Sequence, residues 1–233
     1  MHVLKEAKHQ YADNKIKQNK ESAKKYFLIG FIFLLFSFIL PLILLGSFIA
    51  FAIALVYFEQ NHRWKRGKSG ETKVASALQQ LDDSYYLLND VVLHPKYGNI
   101  DHVVLGQNGI FVIETKNYRI GVGCNKDNWY LLTYSGKKRV SSISMQVKRN
   151  AVALKDFIEQ HAADVGLKHR QIFVNGIIAF VHPELKTRLY QPTVKVLKAF
   201  ELPEFIKNAK TDNKFSDDEL KAYGDIILKN SAH

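Results

Sequence analysis

The chain has 233 residues, enough for one ordinary domain and a short extension. Hydrophobic residues make up 47% of it, which excludes a disordered polypeptide, and the formal net charge of +11 suggests a nucleic-acid-binding protein. The single cysteine, Cys124, excludes an intrachain disulfide and a zinc site built from cysteines, and it suits a reducing compartment.

The positive charge is concentrated on the two flanks of an apolar block. Residues 1–25 contain seven lysines and three acidic residues, a net of +4, and residues 59–68 contain four basic residues and one glutamate, a net of +3. The flanks therefore hold +7 of the +11, and the rest of the chain is only weakly basic. This distribution indicates a membrane segment more than a general nucleic-acid surface.

The apolar block, Tyr26 to Phe58, contains 33 residues without one charged side chain. A straight helix of this length reaches about 50 Å, against about 30 Å of bilayer hydrocarbon, so it suits a tilted single span or a helical hairpin. Pro41 and Gly46 provide a turn near the midpoint, and basic residues on both sides place both ends in the cytoplasm. We favour the hairpin and expect the remaining chain at the cytoplasmic face of the cell membrane.

The elements after the basic linker follow in a clear order. A break is predicted at Gly67–Gly70, and then a helix over 71–81, in which Val74, Leu78 and Leu81 form an apolar stripe. The patterns that follow indicate strands at 85–93, 100–105, 110–115 and 129–133, a helix at 146–162, strands at 172–181 and 193–197, and helices at 203–209 and 216–229. This order predicts an α/β core with a mixed sheet.

The domain organisation follows from these boundaries. We expect a basic N-terminal segment at 1–25, a transmembrane segment at 26–58, a basic linker at 59–68, the main domain at 69–182 and its C-terminal extension at 183–233.

Three ionisable residues are predicted to share one face of a β-hairpin. Asn108-Gly109 indicates the turn, Asp101 lies in the first strand, and Glu114 and Lys116 lie in the second. A two-residue turn at 108–109 places position 101 opposite 116, whereas a four-residue loop at 106–109 places it opposite 114. Because side chains alternate along a strand, all three project to the same face in either register.

Two neighbouring carboxylates are costly to bury unless a cation joins them. Lys116 offsets this cost in part, and a divalent metal does so better; ligation by oxygen alone favours Mg²⁺ or Mn²⁺. Such a metal leaves room for water and phosphate, while a nearby ammonium group can orient a nucleophile. The alternative is an ordinary surface ion pair between Lys116 and either acid.

Three strings of residues resemble a known family. They are Gly67-x-x-Gly70-Glu71 before a helix, then Ile100-Asp101-His102-Val103-Val104, and then Gly109-Ile110-Phe111-Val112-Ile113-Glu114-Thr115-Lys116-Asn117. Together with Trp129 and Gln146, they make residues 67–182 similar to the nuclease-related domain, NERD. That domain is similar to the PD-(D/E)xK nuclease superfamily, which implies a core of a helix, a three-stranded meander, a helix and a strand.

The resemblance also implies roles for five residues. Asp101 and Glu114 would be metal ligands, Lys116 the catalytic lysine, Glu71 an additional acid that completes the metal site, and Gln146 a contact to scissile DNA or to the active site. The alternative for Glu71 is a favourable charge in the first turn of a helix, and for Gln146 a polar residue at a helix start. One departure is Ile100, which stands where the superfamily pattern has proline.

The resulting hypothesis is a membrane-anchored nuclease that hydrolyses DNA with Mg²⁺ or Mn²⁺ and needs no organic cofactor. The alternative is a non-catalytic, membrane-tethered module that binds nucleic acid or protein. Cutting both strands of a duplex requires two sites, which leaves a homodimer possible.

Several other side chains are secondary candidates. A phosphate-backbone track would use five basic residues, although solvated loop charge is the alternative: Lys137, Lys138, Arg139, Lys148 and Arg149. Tyr118, Trp129 and Tyr130 would stack on bases or pack in the core. His102 points away from Asp101 by strand alternation and is not expected to act as a base.

Overall fold

The computed structural model describes residues 1–5, 10–36, 41–94, 98–165, 171–210 and 214–230. The chain forms two compact units, one of Met1–Lys8 with Gly70–His233 and the other of His9–Ser69. One long helix, α2 (Pro41–Leu78), contributes residues to both units.

The first unit is built on a six-stranded mixed sheet with the order β1-β2-β3-β4-β8-β10. Its strands are β1 (His2–Lys5), β2 (Tyr85–His94), β3 (Gly98–Gly106), β4 (Gly109–Lys116), β8 (Val174–Phe180) and β10 (Lys195–Lys198). Strands β2, β3 and β4 are antiparallel neighbours, whereas β1 lies parallel to β2, and β8 lies parallel to both β4 and β10. The predicted mixed α/β fold with a mixed sheet is confirmed.

A second, four-stranded sheet has the order β7-β6-β5-β9. It comprises β5 (Val122–Asn125), β6 (Asn128–Thr133), β7 (Gly136–Val140) and β9 (Thr187–Tyr190). Three of its strands lie between β4 and the next helix in the sequence, and β9 joins β5 in parallel from far along the chain. The sequence indicated only the strand at 129–133.

Helices of the first unit cover both faces of the six-stranded sheet. The α-helices of the described residues are α1 (Gln10–Phe36), α2 (Pro41–Leu78), α3 (Ile143–His161), α4 (Leu202–Lys207) and α5 (Asp217–Asn230). Apolar residues of α3 and α5 pack on one face, and those of α4 and of the end of α2 pack on the other. The predicted stripe lies in this second layer, where Val74 and Leu78 are fully buried. Helix α5 begins with the reciprocal capping that Ser216 and Glu219 predict.

The second unit pairs α1 with α2 in antiparallel directions. Tyr26 stacks on Tyr57 with ring centroids 5.8 Å apart, and Phe27 meets Phe51 edge-on at 5.4 Å, both ordinary spacings for aromatic pairs. Within the part of the chain that the structure describes, no helix combines the length and the apolar character needed to cross a membrane. The turn of the apolar block was expected near Pro41 and Gly46, but α2 begins at Pro41 and continues through Gly46. Residues 37–40 lie outside the described part of the chain.

The predicted break at Gly67–Gly70 is wrong, because α2 continues through it. Gly70 permits close packing instead of ending the helix: a Cβ atom there would lie 2.9 Å from Cβ of Asn117 and 3.3 Å from Cγ2 of Val181. A Cβ atom at Gly67 would meet nothing within 4 Å. The glycine at 70 therefore sets how closely the start of the domain helix approaches the end of β4.

Gly70→Ala is expected to destabilise the first unit by about 1 kcal/mol, because overpacking of about 1–3 kcal/mol exceeds the helix-propensity gain of about 1 kcal/mol. Gly67→Ala is the matched control and is expected to cause no loss. The chain has two tryptophans, so thermal unfolding followed by Trp129 fluorescence in a Trp64→Phe background reports on the first unit. Equal melting temperatures for the two variants would contradict the packing role of Gly70.

Candidate active site

The β3–β4 hairpin places position 101 opposite position 114. His102 pairs with Ile113 and Gly106 with Gly109, so the connecting turn is Gln107-Asn108. This register is the one predicted for a four-residue loop at 106–109. The loop itself is shorter, because Gly106 and Gly109 belong to the strands. The turn, Gln107-Asn108, lies one residue earlier than the predicted Asn108-Gly109. Asp101, Glu114 and Lys116 therefore share one face of the hairpin, as predicted, because the ladder has no bulge.

The three predicted residues meet at the open end of this hairpin. Lys116 Nζ donates a hydrogen bond to Glu114 Oε1 at 2.5 Å, and the backbone N–H of Thr115 donates to Asp101 Oδ2 at 2.7 Å. Glu114 is only 3% exposed. The predicted alternative of a surface ion pair is therefore wrong, since the glutamate of this pair lies inside the protein.

The charges in this cluster strongly affect one another. Burial and the neighbouring carboxylates of Glu114 and Glu71 raise the pKa of Asp101 well above its usual value, against the opposing effects of Lys116 and the Thr115 N–H. Burial by itself would lower the pKa of Lys116, but Glu114 and Asp101 outweigh it and the pKa is raised. Lys116 is thus a firmly protonated ammonium group among acids that repel one another.

Glu71 and Gln146 approach this cluster from two different helices. Glu71, on α2, lies near enough to raise the pKa of Asp101. Gln146, in the first turn of α3, accepts a long hydrogen bond of 3.4 Å from Lys116 Nζ through Oε1. The structure therefore brings together all five residues that the sequence analysis named, although they span positions 71 to 146.

The donor set fits a divalent cation held by two carboxylates. Among the described residues, none donates a hydrogen bond to Glu114 Oε2, although this oxygen is buried. A buried carboxylate oxygen without a partner is costly, and a hard cation with oxygen ligands would satisfy it. Within the described ranges, no group of three or more His, Cys, Asp or Glu side chains has the geometry of a metal site. The fit therefore rests on Asp101 and Glu114.

A buried polar network behind the cluster was missed by the sequence analysis. His102 is fully buried, with Nδ1 2.6 Å from Asn89 Oδ1 and Nε2 3.1 Å from Thr115 Oγ1. Since an amide oxygen only accepts, Nδ1 carries a proton, and in the neutral imidazole Nε2 then accepts from the Thr115 hydroxyl. His102 lies on the face away from Asp101, as predicted, and it fixes the residue whose N–H holds Asp101.

Asp127 secures the start of α3, which carries Gln146. Its carboxylate accepts hydrogen bonds from Ser144 Oγ at 2.6 Å and from Lys148 Nζ at 3.1 Å, and it also bonds to Thr193 Oγ1. Hydrogen bonds from Ser144 and Thr193, assisted by Lys148, lower the pKa of Asp127 to about 2. Nothing in the local pattern marked Asp127, because Thr193 is 66 residues away.

The secondary candidates separate into distinct environments. Trp129 is fully buried and donates to Ser144 Oγ at 2.9 Å, so it packs in the core. Lys148 is engaged with Asp127. A cleft of about 630 Å³ beside the cluster is lined by Lys116, Gln146, Tyr118, Arg139, Val140, Ser141 and Ile143.

This arrangement defines a mixed α/β domain with carboxylates and a lysine at the end of a β-hairpin. The family model of the nuclease-related domain, NERD, matches residues 66–181, so this part of the chain is a nuclease-related domain, as predicted. An uncharacterized protein of Bacillus anthracis is 48% identical over 60 residues, which are 24% of this chain and 28% of that protein's length. No solved structure matches the chain.

Proposed function

We propose that the protein is a metal-dependent nuclease that hydrolyses phosphodiester bonds of DNA. The observation that supports this most directly is the pair of partly buried Asp101 and buried Glu114, with Lys116 Nζ bonded to Glu114 Oε1, within a nuclease-related domain. A buried acid–lysine cluster beside an open cleft is poorly explained by stability, because desolvated carboxylates that repel one another destabilise the fold.

Each residue of the cluster has a distinct task in this proposal. Asp101 and Glu114 would hold Mg²⁺ or Mn²⁺, with Glu71 adding negative charge nearby. When bound, such a metal neutralises charge on a phosphoryl group and lowers the pKa of a coordinated water. The Lys116 ammonium would orient the nucleophile and stabilise charge on the phosphate oxygens, and Gln146 would position that ammonium.

Cleavage of supercoiled and linear DNA by the full chain, solubilised in a mild detergent, tests the proposal. Nicking is expected with Mg²⁺ or Mn²⁺ and is expected to stop in EDTA. Cleavage that continues in EDTA would contradict it. DNA binding without any cleavage in either metal would favour the non-catalytic binding module instead.

We propose further that the apolar block anchors this nuclease to the cytoplasmic face of the cell membrane. The support is the uncharged run of 33 residues between basic flanks, together with large apolar side chains exposed on both helices, such as Phe27, Phe31 and Phe48. Soluble proteins rarely expose so much contiguous apolar surface. The protein is expected to stay in the membrane pellet after an alkaline carbonate wash, and release into the supernatant would contradict the anchor.

A further inference from the structure

The four-stranded sheet has one buried face and one open face. Val122, Cys124 and Trp129 point to the buried side, where they pack with Val147 of α3 and with Phe180 of β8. By alternation, the neighbouring residues of the same strands point the other way. We call that second side the outer face.

The outer face has a flat aromatic ring at its centre. Tyr130 pairs with Gly123 on one side and with Arg139 on the other, and Gly123 also pairs with Arg188, so the four positions form one row across the sheet. A Cβ atom at Gly123 would lie 2.0 Å from the Tyr130 ring. The glycine therefore lets this ring lie across β5, and Lys137 Nζ sits 4.9 Å from its centroid.

The charge on the outer face has one sign. The strands β5, β6, β7 and β9 contain no aspartate or glutamate, and their exposed cations Lys137, Arg139 and Arg188 point to the outer face. Tyr190 follows Arg188 by two residues, so it shares this face, and it is 61% exposed. Lys138, between Lys137 and Arg139, points to the opposite side.

The outer face is continuous with the candidate active site through one residue. Arg139 belongs to the central row of the outer face, and it also lines the cleft that contains Lys116 and Gln146. A phosphate chain that leaves this cleft at Arg139 would therefore reach the ring of Tyr130 and its surrounding cations next.

We propose that the outer face binds single-stranded DNA that extends from the active-site cleft. Cations that track phosphates, combined with aromatic rings on which bases stack, are the chemistry by which proteins hold single strands. A lipid headgroup surface would use the cations but would not explain the flat ring of Tyr130 or the junction with the cleft at Arg139. This inference deepens the proposed nuclease function and rests on it for the identity of the strand.

The test is binding of a labelled 20-nucleotide single strand to the full chain in zwitterionic-lipid nanodiscs, measured by fluorescence anisotropy in EDTA. Lys137→Gln/Arg188→Gln is expected to weaken binding about tenfold and to reduce the slope of log affinity against log salt by about 1.4, since each phosphate contact contributes about 0.7 for single strands. The matched control Lys207→Gln/Lys229→Gln removes the same charge from the exposed ends of α4 and α5 and is expected to change affinity less than twofold.

Equal weakening by the two double variants would overturn the proposal, as would tighter binding of the matching duplex than of the single strand. A second experiment uses nanodiscs with one third anionic lipid and no DNA, and measures chemical acetylation of Lys137. If the anionic lipid protects Lys137 from acetylation, the outer face binds the bilayer and the proposal is overturned. Because binding is measured without metal, these results are independent of cleavage. A wild-type chain that binds as expected but never cleaves would contradict only the nuclease function.

Discussion

Lys116→Gln is expected to reduce metal-dependent DNA cleavage by about 10²–10³-fold, the range for loss of one positioned group that stabilises charge in the transition state. Lys116 Nζ lies 2.5 Å from Glu114 Oε1 and 3.4 Å from Gln146 Oε1, and the surrounding acids raise its pKa, so it presents a fixed positive charge to the cleft. Glutamine retains hydrogen-bond donors at this position but removes that charge. The measurement is the single-turnover cleavage rate in Mg²⁺ and in Mn²⁺.

The control for this variant is Lys155→Gln, which breaks another lysine–glutamate pair. Lys155 Nζ lies 3.0 Å from Glu159 Oε2 on α3, and the lysine does not line the active-site cleft. Cleavage by Lys155→Gln is expected to stay within twofold of wild type. Because removal of Lys116 leaves acids uncompensated, rates are compared below the unfolding temperature shown by Trp129 fluorescence. Cleavage by Lys116→Gln at the wild-type rate would refute its catalytic role.

Asp101→Asn is expected to stabilise the metal-free protein at neutral pH while removing its response to metal. The pKa of Asp101 is raised in the folded state, mainly by burial and then by Glu114 and Glu71. A raised carboxyl pKa means that stability is fully present below the unfolded value of about 3.9 and is lost as the pH rises through the folded value. Above the unfolded value, Asp101 therefore costs stability, and asparagine removes this cost while it still accepts the Thr115 N–H.

The expected gain is on the order of 1–2 kcal/mol, or roughly 2–8 °C in melting temperature for a domain of this size. It is measured in EDTA by Trp129 fluorescence in the Trp64→Phe background, from pH 4 to pH 8. Wild type should lose stability over part of this range, and the variant should lose less. Mg²⁺ at 100 times its dissociation constant stabilises a binding protein by about 2.7 kcal/mol, and this increment should appear for wild type alone. A variant less stable than wild type at pH 7 would contradict the argument.

The sequence could predict the centre of the candidate site because strand alternation is a local property. Asp101, Glu114 and Lys116 lie in two strands joined by a tight turn, so their common face follows for either register that the turn allows. The exact turn could not be predicted, because Asn108-Gly109 and Gln107-Asn108 are both compatible with apolar runs on either side. The ladder hydrogen bonds and the packing of the hairpin select between them.

Glycine residues were the least reliable guide to where a helix ends. Gly67 and Gly70 predicted a break from their conformational freedom, yet both lie inside α2. What decides the role of Gly70 is Asn117, 47 positions later in the chain, whose Cβ leaves no room for another side chain. Gly123 likewise leaves room for a distant side chain, because a Cβ atom there would collide with the ring of Tyr130.

The sequence by itself determined the mixed α/β class, the nuclease-related domain and the residues of the acid–lysine cluster, since these depend on periodicity and on short strings of neighbours. Only the tertiary structure decided that β1 joins the main sheet, that Asp127 and Thr193 secure the start of α3, and that Arg188 completes a basic face with Arg139. Each of these three arrangements brings together residues that are far apart in the chain. Such contacts form because folding buries apolar surface and satisfies polar groups across the whole domain, and no local pattern specifies them.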